Sequence, residues 1–296
     1  MMRFDREQLE TLAAVVAAGT FDAAAERLSI TPSAVSQRIK ALEQQLGRVV
    51  VVRSKPIRAT DAGAALLRLV QQLAALEHEA ASELGVAESE GSVSIPLAVN
   101  ADSMATWLLP ALAEAARRHP LVFELHRDDQ EYTAALLAAG TVMAAVTSES
   151  RPVAGCTVTP LGRMRYHAVA SPEFAARWFP DGPSPTALAD APVVDFDRKD
   201  ELQSRYLRAV TRRVLAPPRH FVPASADFAV AIELGLGWGM LPEAQSERGR
   251  RSGSLVVLDP VRTVAVPLFW QQWNLRSTAL DAVAAAVVGG ARAALV

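Results

Sequence analysis

Residues 23–43 read AAAERLSITPSAVSQRIKALE, two short helical patterns meeting across Leu28-Ser29-Ile30-Thr31, with Pro32 opening the second. So short a joint leaves the helices no freedom beyond a tight corner. The flanking sequence agrees. Residues 5–18 place Leu9, Leu12 and Val16 at helical spacing, Gly19 stops that helix, and Thr20 is set to cap the next, Phe21 to Leu28. Thr31 and Pro32 read as N-cap and first-turn proline of a third helix, which ends at Gly47. Val49–Val52 and Ile57–Thr60 then flank Arg53-Ser54-Lys55-Pro56 like two strands around a turn. Three helices and a ribbon make a winged helix-turn-helix.

The third helix divides cleanly. Val35, Ile39, Leu42 and Leu46 share one side and must pack inward, while Ser33, Ser36, Gln37, Lys40 and Gln44 share the other. A polar helix face is ordinarily just solvated. This one follows a fixed turn and carries no acid, although Glu43 lies beside it. Small hydroxyls permit close approach, an amide matches base edges and a cation matches phosphate, which is what a groove-reading helix needs. The candidate DNA-binding set is Thr31, Pro32, Ser33, Ser36, Gln37, Arg38 and Lys40, with Arg53, Lys55 and Arg58 around the ribbon tip.

Charge distribution supports that reading where net charge does not. The 296-residue chain is at −2 overall, but residues 1–60 hold nine Lys/Arg against six Asp/Glu. A short basic patch on a neutral chain is expected when one small domain touches phosphate. Half the residues are apolar, an ordinary soluble composition, and the length allows two or three modest domains. The single Cys156 has no internal disulfide partner and reads as structural, MMRFDREQLE has no apolar signal-like run, and no stretch is long and apolar enough to span a membrane. A cytoplasmic location is expected.

From Asp61 to about Leu84 the chain reads as one long helix. Leu66, Leu69, Leu73, Leu76, Ala80 and Leu84 form a seam that wants a partner helix, either the helix's own domain or, given its polar opposite face, a second copy. Residues 85–92, GVAESEGS, have linker composition. Beyond them strand and helix patterns alternate: strands Val93–Val99, Leu121–Leu125, Val142–Val146, His167–Ala170, Val193–Phe196, His220–Val222, Gly239–Leu241, Leu255–Leu258 and Val264–Gln271, with helices Asp102–Arg118, Glu131–Ala139 and one from about Ser277. That is an α/β sheet, whose ligands gather at strand carboxyl ends.

AAAERLSITPSAVSQRIKALEQQLG, followed by Arg53-x-Lys55-Pro56-x-Arg58-Ala59-Thr60-Asp61-Ala62-Gly63, resembles the LysR-type transcriptional regulators along the whole chain. NADSMATWLLPAL at 100–112, PVAGCTVTPLGRMRYHAVAS at 152–171, GLGWGMLPE at 235–243 and PLFWQQW at 267–273 are similar to that family's LysG/ArgP branch, which senses basic amino acids. The resemblance implies a winged helix-turn-helix over 1–60, a linker and dimerisation helix with its hinge over 61–91, and an effector domain over 92–296 resembling type II periplasmic binding proteins. Lobe one is expected over 92–163 and 264–296, lobe two over 164–263. It further implies a homodimer or dimer of dimers on palindromic promoter DNA, contact with RNA polymerase, lysine or arginine as effector, and an exporter gene as target.

In such a two-lobed sensor the effector lies between the lobes. Asp102 and Ser103 follow the first strand; either caps the helix there, and the Ser103 hydroxyl with nearby amides suits a carboxylate. Thr147 and Ser148 end the third strand, and Ser225 opens a helix in lobe two, where capping alone also explains it. Asp128 and Asp129 match the branch's acidic cluster for the effector's cations, though a plain Asp-rich turn reads the same way. Gln130-Glu131-Tyr132 departs from the pattern of the branch, which puts the preferred ligand in question more than its class. Trp107 and Trp270 read as core or cleft wall.

An enzyme is disfavoured. Histidines 78, 119, 126, 167 and 220 are scattered without metal-ligand spacing, and no nucleophile–base pair is legible. Gly235-Leu236-Gly237-Trp238-Gly239 follows a helix and lacks dinucleotide-binding spacing. No metal, cofactor or catalytic residue is expected. A solute-binding protein would leave the first 60 residues without use, and an architectural DNA binder would leave the α/β sheet without one. A LysR-type regulator of another operon, with a different small effector, stays open. Replacing Gln37 by Ala is expected to erode sequence preference by about 1–3 kcal/mol if that amide reads bases. Titration of operator against random DNA tests it, and an unchanged affinity ratio would refute the role.

Overall fold

A computed structural model describes residues 4–84, 92–127 and 130–296. Its amino-terminal unit follows from capping chemistry. Asp5 accepts the Glu7 and Gln8 amides ahead of α1 (Arg6–Ala18), and Gly19 closes that helix at φ 71°. The Thr20 hydroxyl accepts the Ala23 amide ahead of α2 (Phe21–Leu28). The Thr31 hydroxyl does the same for Ala34 ahead of α3 (Pro32–Leu46), which ends at a left-handed Gly47. Each polar cap satisfies an amide that has no partner within its helix. Leu9, Leu12, Val15, Val35, Ile39 and Leu42 are buried together as the core.

The ribbon is shorter than its sequence suggests: β1 (Val51–Val52) and β2 (Arg58–Ala59) pair over two residues each. The flanking amides are bonded elsewhere. Val50 donates to the Glu43 carboxylate (2.9 Å) and Ile57 to the Gly19 carbonyl (2.9 Å). Glu43, the acid beside the polar stripe, thus holds the wing onto α3. The wing also abuts α4 (Asp61–Glu83), where a Cβ on Gly63 would lie 2.0 Å from the Val50 carbonyl oxygen.

The seam on α4 splits. Leu66 is buried with Leu67 in the amino-terminal core and Leu69 packs against it, whereas Leu73, Leu76 and Leu84 are 41%, 46% and 74% exposed. Among the described residues, only the first part of the seam is buried in the amino-terminal core.

The remainder builds one seven-stranded sheet and a small parallel pair. In the large sheet β10 (Val256–Val257), β6 (Cys156–Ala170), β11 (Thr263–Trp273), β5 (Ala144–Thr147), β3 (Val93–Val99) and β4 (Leu121–Arg127) lie in that order, and β9 (Gly239–Pro242) also pairs with β6. β7 (Val193–Asp195) and β8 (Arg219–Phe221) form the parallel pair. Helices α5 (Ala101–Ser103), α6 (Leu109–Arg118), α7 (Gln130–Ala139), α8 (Pro172–Trp178), α9 (Pro185–Asp190), α10 (Leu202–Thr211), α11 (Ser225–Glu233), α12 (Glu243–Ser252) and α13 (Thr278–Ala294) complete the fold. Its core gathers Trp238, Trp270, Trp273 and Tyr206 with the sheet's aliphatic residues. Trp107 and Trp270 belong to that core.

Two sequence expectations need correction. The single helix expected over 102–118 is interrupted by a π-helical stretch, Met104–Leu108, between α5 and α6. Pro110, in the first turn of α6, has no amide to donate, and the widened turn accommodates it. The strand expected over 167–170 begins instead at Cys156 and pairs with β11 for most of its length. Pro160 and Gly162 hid it. Both sit where the register shifts between Leu268 and Phe269, and Gly162 has φ 126°; irregular points of this kind admit Pro and Gly in a strand. Replacing Gly63 by Ala is expected to destabilise the amino-terminal unit by about 1–3 kcal/mol or more, since a backbone oxygen blocks the new methyl. Calorimetric melting checks this, and an unchanged melting temperature contradicts the contact.

Candidate functional site

Polar side chains cover one face of the amino-terminal unit. Ser33, Ser36, Gln37 and Lys40 are exposed on α3, and Arg53, Lys55 and Arg58 are exposed on the wing. Thr31 and Ser33 share a hydroxyl contact of 3.0 Å at the start of α3, beside the exposed ring of Pro32. Arg53 lies 5.7 Å over the Phe21 ring, which anchors one end of the wing. Arg38 is turned from the stripe toward α1, where its guanidinium pairs with Glu7 at 2.5 Å.

The second candidate site is a cleft of about 510 Å³ where several strands end. Val99 closes β3 opposite Arg127, the last residue of β4, and Asn100 to Asp102 follow directly. Arg127 and Asp102 both line the cleft. β7 and β8 run parallel and end at Asp195 and Phe221, delivering the segment from Phe196 to Leu202 and Pro223 to the same space. Parallel strands expose their ligand-binding loops at carboxyl ends. The lining carries both signs: Asp102, Asp197, Asp200 and Glu201 against Arg127, Lys199 and Arg205.

Local hydrogen bonds hold these groups. Asp197 accepts the Lys199 amide at 2.7 Å and the Asp200 amide at 3.0 Å. Asp200 accepts the Phe196 amide at 3.1 Å and the Leu202 amide at 2.9 Å. The loop after β7 is therefore built around its own carboxylates. Below it Asp195 is buried against Arg219. Burial holds the Asp195 and Asp200 carboxyls above the usual carboxylate range, despite the Arg219 partner of one and the amides on the other.

Asp102 occupies the junction. Its Oδ2 accepts from the Tyr166 hydroxyl at 2.8 Å and its Oδ1 from the Ser225 hydroxyl at 3.0 Å. Asp102 keeps some exposure at the cleft wall, but its carboxyl group is largely desolvated. Burial raises its pKa from the ordinary value, the two hydroxyls oppose that rise, and Asp200 adds to it. Tyr166 is pushed well above the usual phenol range by burial and then by Asp102.

The residues singled out in the sequence fall into groups. Asp102 and Ser225, 123 positions apart, come together. Neither Asp102 nor Ser103 caps the helix; Asn100 does, accepting the Ser103 amide at 3.2 Å, because the chain turns one residue earlier. The Ser103 hydroxyl is buried without a hydrogen-bond partner among the described residues. Ser225 is not a cap either, since its hydroxyl points across to Asp102. Thr147 is buried and accepts the Glu149 amide at 3.1 Å; neither it nor Ser148 is among the described residues lining the cleft. Asp128 and Asp129 lie outside the described residues, directly after Arg127. Sequence reasoning missed Arg127, Tyr166 and the loop from Asp197 to Arg205. A charged run directly after an apolar strand, Val193-Val194-Asp195-Phe196-Asp197-Arg198-Lys199-Asp200-Glu201, was the available signal for the loop.

Two family models match the chain. One, described as bacterial regulatory helix-turn-helix protein, lysR family, matches residues 6–64. The other, LysR substrate binding domain, matches residues 89–291. The chain belongs to the LysR family. Among relatives of this LysR-family chain, the HTH-type transcriptional regulator LysG of Mycobacterium tuberculosis is 47% identical over 291 residues, covering 97% of this chain and 95% of the relative. The crystal structure of ArgP from Mycobacterium tuberculosis superposes with a TM-score of 0.89 at 46% identity, covering 99% of each chain. Full-length LysG from Corynebacterium glutamicum with bound effector Arg gives 0.78 at 38% identity, again over 99% of each.

Replacing Asp102 by Asn removes the charge while keeping an acceptor for Tyr166 and an amide facing Ser225. A carboxyl whose folded pKa lies above its unfolded value of about 3.9 binds its proton more readily in the folded state, so wild-type stability rises as pH falls through the folded value. The variant is expected to melt at or above the wild-type temperature at pH 7 without added ligand, with the gap closing as the pH falls toward acid. A gap that ignores pH contradicts the assignment.

Proposed function

We propose that this LysR-family chain is a transcriptional regulator whose promoter binding or activation is controlled by a basic amino acid, lysine or arginine, and that its target is an amino-acid exporter gene. The observation that carries this reading is the mixed charge of the cleft at the strand ends. A free basic amino acid presents a carboxylate and an ammonium on one carbon and a second cation several bonds away. Arg127 and the start of α5 end adjacent strands, so a cation and the Asp102 carboxylate flank one end of the cleft. The loop carrying Asp197, Asp200 and Glu201 supplies negative charge for the distal group. Arginine named as effector in the LysG structure from Corynebacterium glutamicum supports the ligand class, and lysine export in the name of that organism's LysG supports the target.

In this reading the effector set comprises Asp102, Ser103, Asp128, Asp129 and Ser225, joined by Arg127 and the Asp197–Glu201 loop; Thr147 and Ser148, which do not line the cleft, stand outside it. Thr31, Pro32, Ser33, Ser36, Gln37, Lys40, Arg53, Lys55 and Arg58 face double-stranded promoter DNA of palindromic design. Arg38 contributes by bracing α3 through Glu7. The exposed leucines of α4 meet the same helix of a second copy, giving a dimer or dimer of dimers that recruits RNA polymerase in the cytoplasm without catalysis of its own. The domains divide at residues 60 and 91, with lobe one over 92–163 plus 264–296 and lobe two over 164–263.

Thermal melting against each of the twenty amino acids tests the ligand class. A ligand at a hundred times its Kd stabilises the native state by about 2.7 kcal/mol, so arginine or lysine is expected to raise the melting temperature visibly. A rise with other amino acids and none with these two overturns it. DNA affinity measured against salt is expected to fall steeply, with preference for the chain's own promoter region; no binding to any DNA at low salt overturns the regulator.

A further inference from the structure

Asp102 is held from three parts of the fold at once. It stands on α5 after β3, its Oδ2 takes the Tyr166 hydroxyl from β6, and its Oδ1 takes the Ser225 hydroxyl from α11. Ser225 is itself fixed. Its carbonyl accepts from Gln245 Nε2 of α12 at 2.7 Å, and its hydroxyl lies 3.3 Å from Gln245 Oε1. One hydroxyl has one proton, and the shorter contact to an anionic acceptor makes Asp102 its recipient.

Both donors to Asp102 are neutral. Among the described residues no lysine or arginine forms an ion pair with Asp102, whose two oxygens are held by hydroxyls, and burial disfavours its charge. A desolvated carboxylate with two hydroxyls and no counter-ion lacks a cation. It lines a cleft, so that cation can arrive with a ligand.

We infer that Tyr166 and Ser225 are positioning residues of the effector site: they fix both oxygens of Asp102 so that its remaining lone pairs receive the effector's α-ammonium group. This rests on the reading that a basic amino acid occupies the cleft. The α-ammonium, rather than the distal cation, fits because Arg127 ends β4 opposite Val99 while Asp102 opens the helix that follows Val99, both line the cleft, and only the α-carbon carries both charges together. Ser225 reaches Asp102 from lobe two, so the acceptor is complete only while the two lobes are closed upon each other. Tyr166, 2% exposed on the strand running between the lobes, keeps the second oxygen oriented.

The test compares each basic amino acid with the analogue lacking only its α-amino group. Full-length protein and its Tyr166→Phe, Ser225→Ala and Ser225→Thr variants are titrated calorimetrically with arginine and 5-guanidinopentanoate, and with lysine and 6-aminohexanoate. Loss of one positioning hydrogen bond to the charged acceptor is expected to weaken the amino acid about tenfold in Tyr166→Phe and Ser225→Ala. The des-amino analogue is expected to bind each variant as it binds wild type, within about twofold, and Ser225→Thr, which keeps the hydroxyl, to bind the amino acid nearly as wild type does. Equal losses for amino acid and analogue indicate a general distortion of the cleft and overturn the inference, as does unchanged amino-acid affinity in both hydroxyl-deleting variants. Wild type that binds neither arginine nor lysine removes the proposed effector class itself, a separate failure visible before any variant is made.

Discussion

The long antiparallel pairing of β6 with β11 is the constraint on which the sensing half of the chain depends. From Cys156 opposite Trp273 to His167 opposite Thr263, the two strands carry the backbone out of one lobe and back into it. β5 joins one end of this pair and β9 and β10 join the other, so both lobes hang from the same two strands. The cleft exists because the parallel strands on either side end toward it. Tyr166 lies on the shared pair itself, so its hydroxyl reaches Asp102 after β3 while its backbone pairs with β9.

The amino-terminal unit rests on different physics. Its helices are short, and short helices gain little from propensity alone. They are fixed by caps at Asp5, Thr20 and Thr31, by left-handed turns at Gly19 and Gly47, and by a core that includes Leu66 and Leu67 from α4. The polar stripe of α3 is open to a partner because its large apolar side chains, Val35, Ile39, Leu42 and Leu46, face that core.

How far the fold was legible in the sequence depended on how local its causes were. Caps and helix stops act within four residues, and Phe21–Leu28 and the Thr31-Pro32 start are found where the sequence puts them. β6 was read short because its pairing partner lies about a hundred residues away and compensates for Pro160 and Gly162 in a way no local pattern reveals. In the cleft, Asp102 and Ser225 were recognisable as residues at strand-to-helix turns. Their bond to each other was not, since it joins positions 123 apart in the chain. Arg127 and Tyr166 lie just outside the strands legible in the sequence, and only tertiary geometry brings them to the cleft. Asn100 took the capping role because the helix starts at Ala101, one residue before the Asp102 start that the sequence implied.

The close approach of Gly63 to the Val50 carbonyl has a mechanical meaning. With the wing seated on α4 and Arg6 of α1 paired to Glu77 far along the same helix at 2.7 Å, the amino-terminal unit and α4 form one stiff arm. A 23-residue helix is about 35 Å long at 1.5 Å per residue, so a tilt of about 10° at its far end sweeps the near end through about 6 Å. That displacement approaches the separation of two base pairs along a duplex. α7 also packs against this arm, where a Cβ on Gly140 would lie 2.4 Å from the Arg68 side chain, so a rotation imposed on α4 would be carried to the groove-facing surface by lever length.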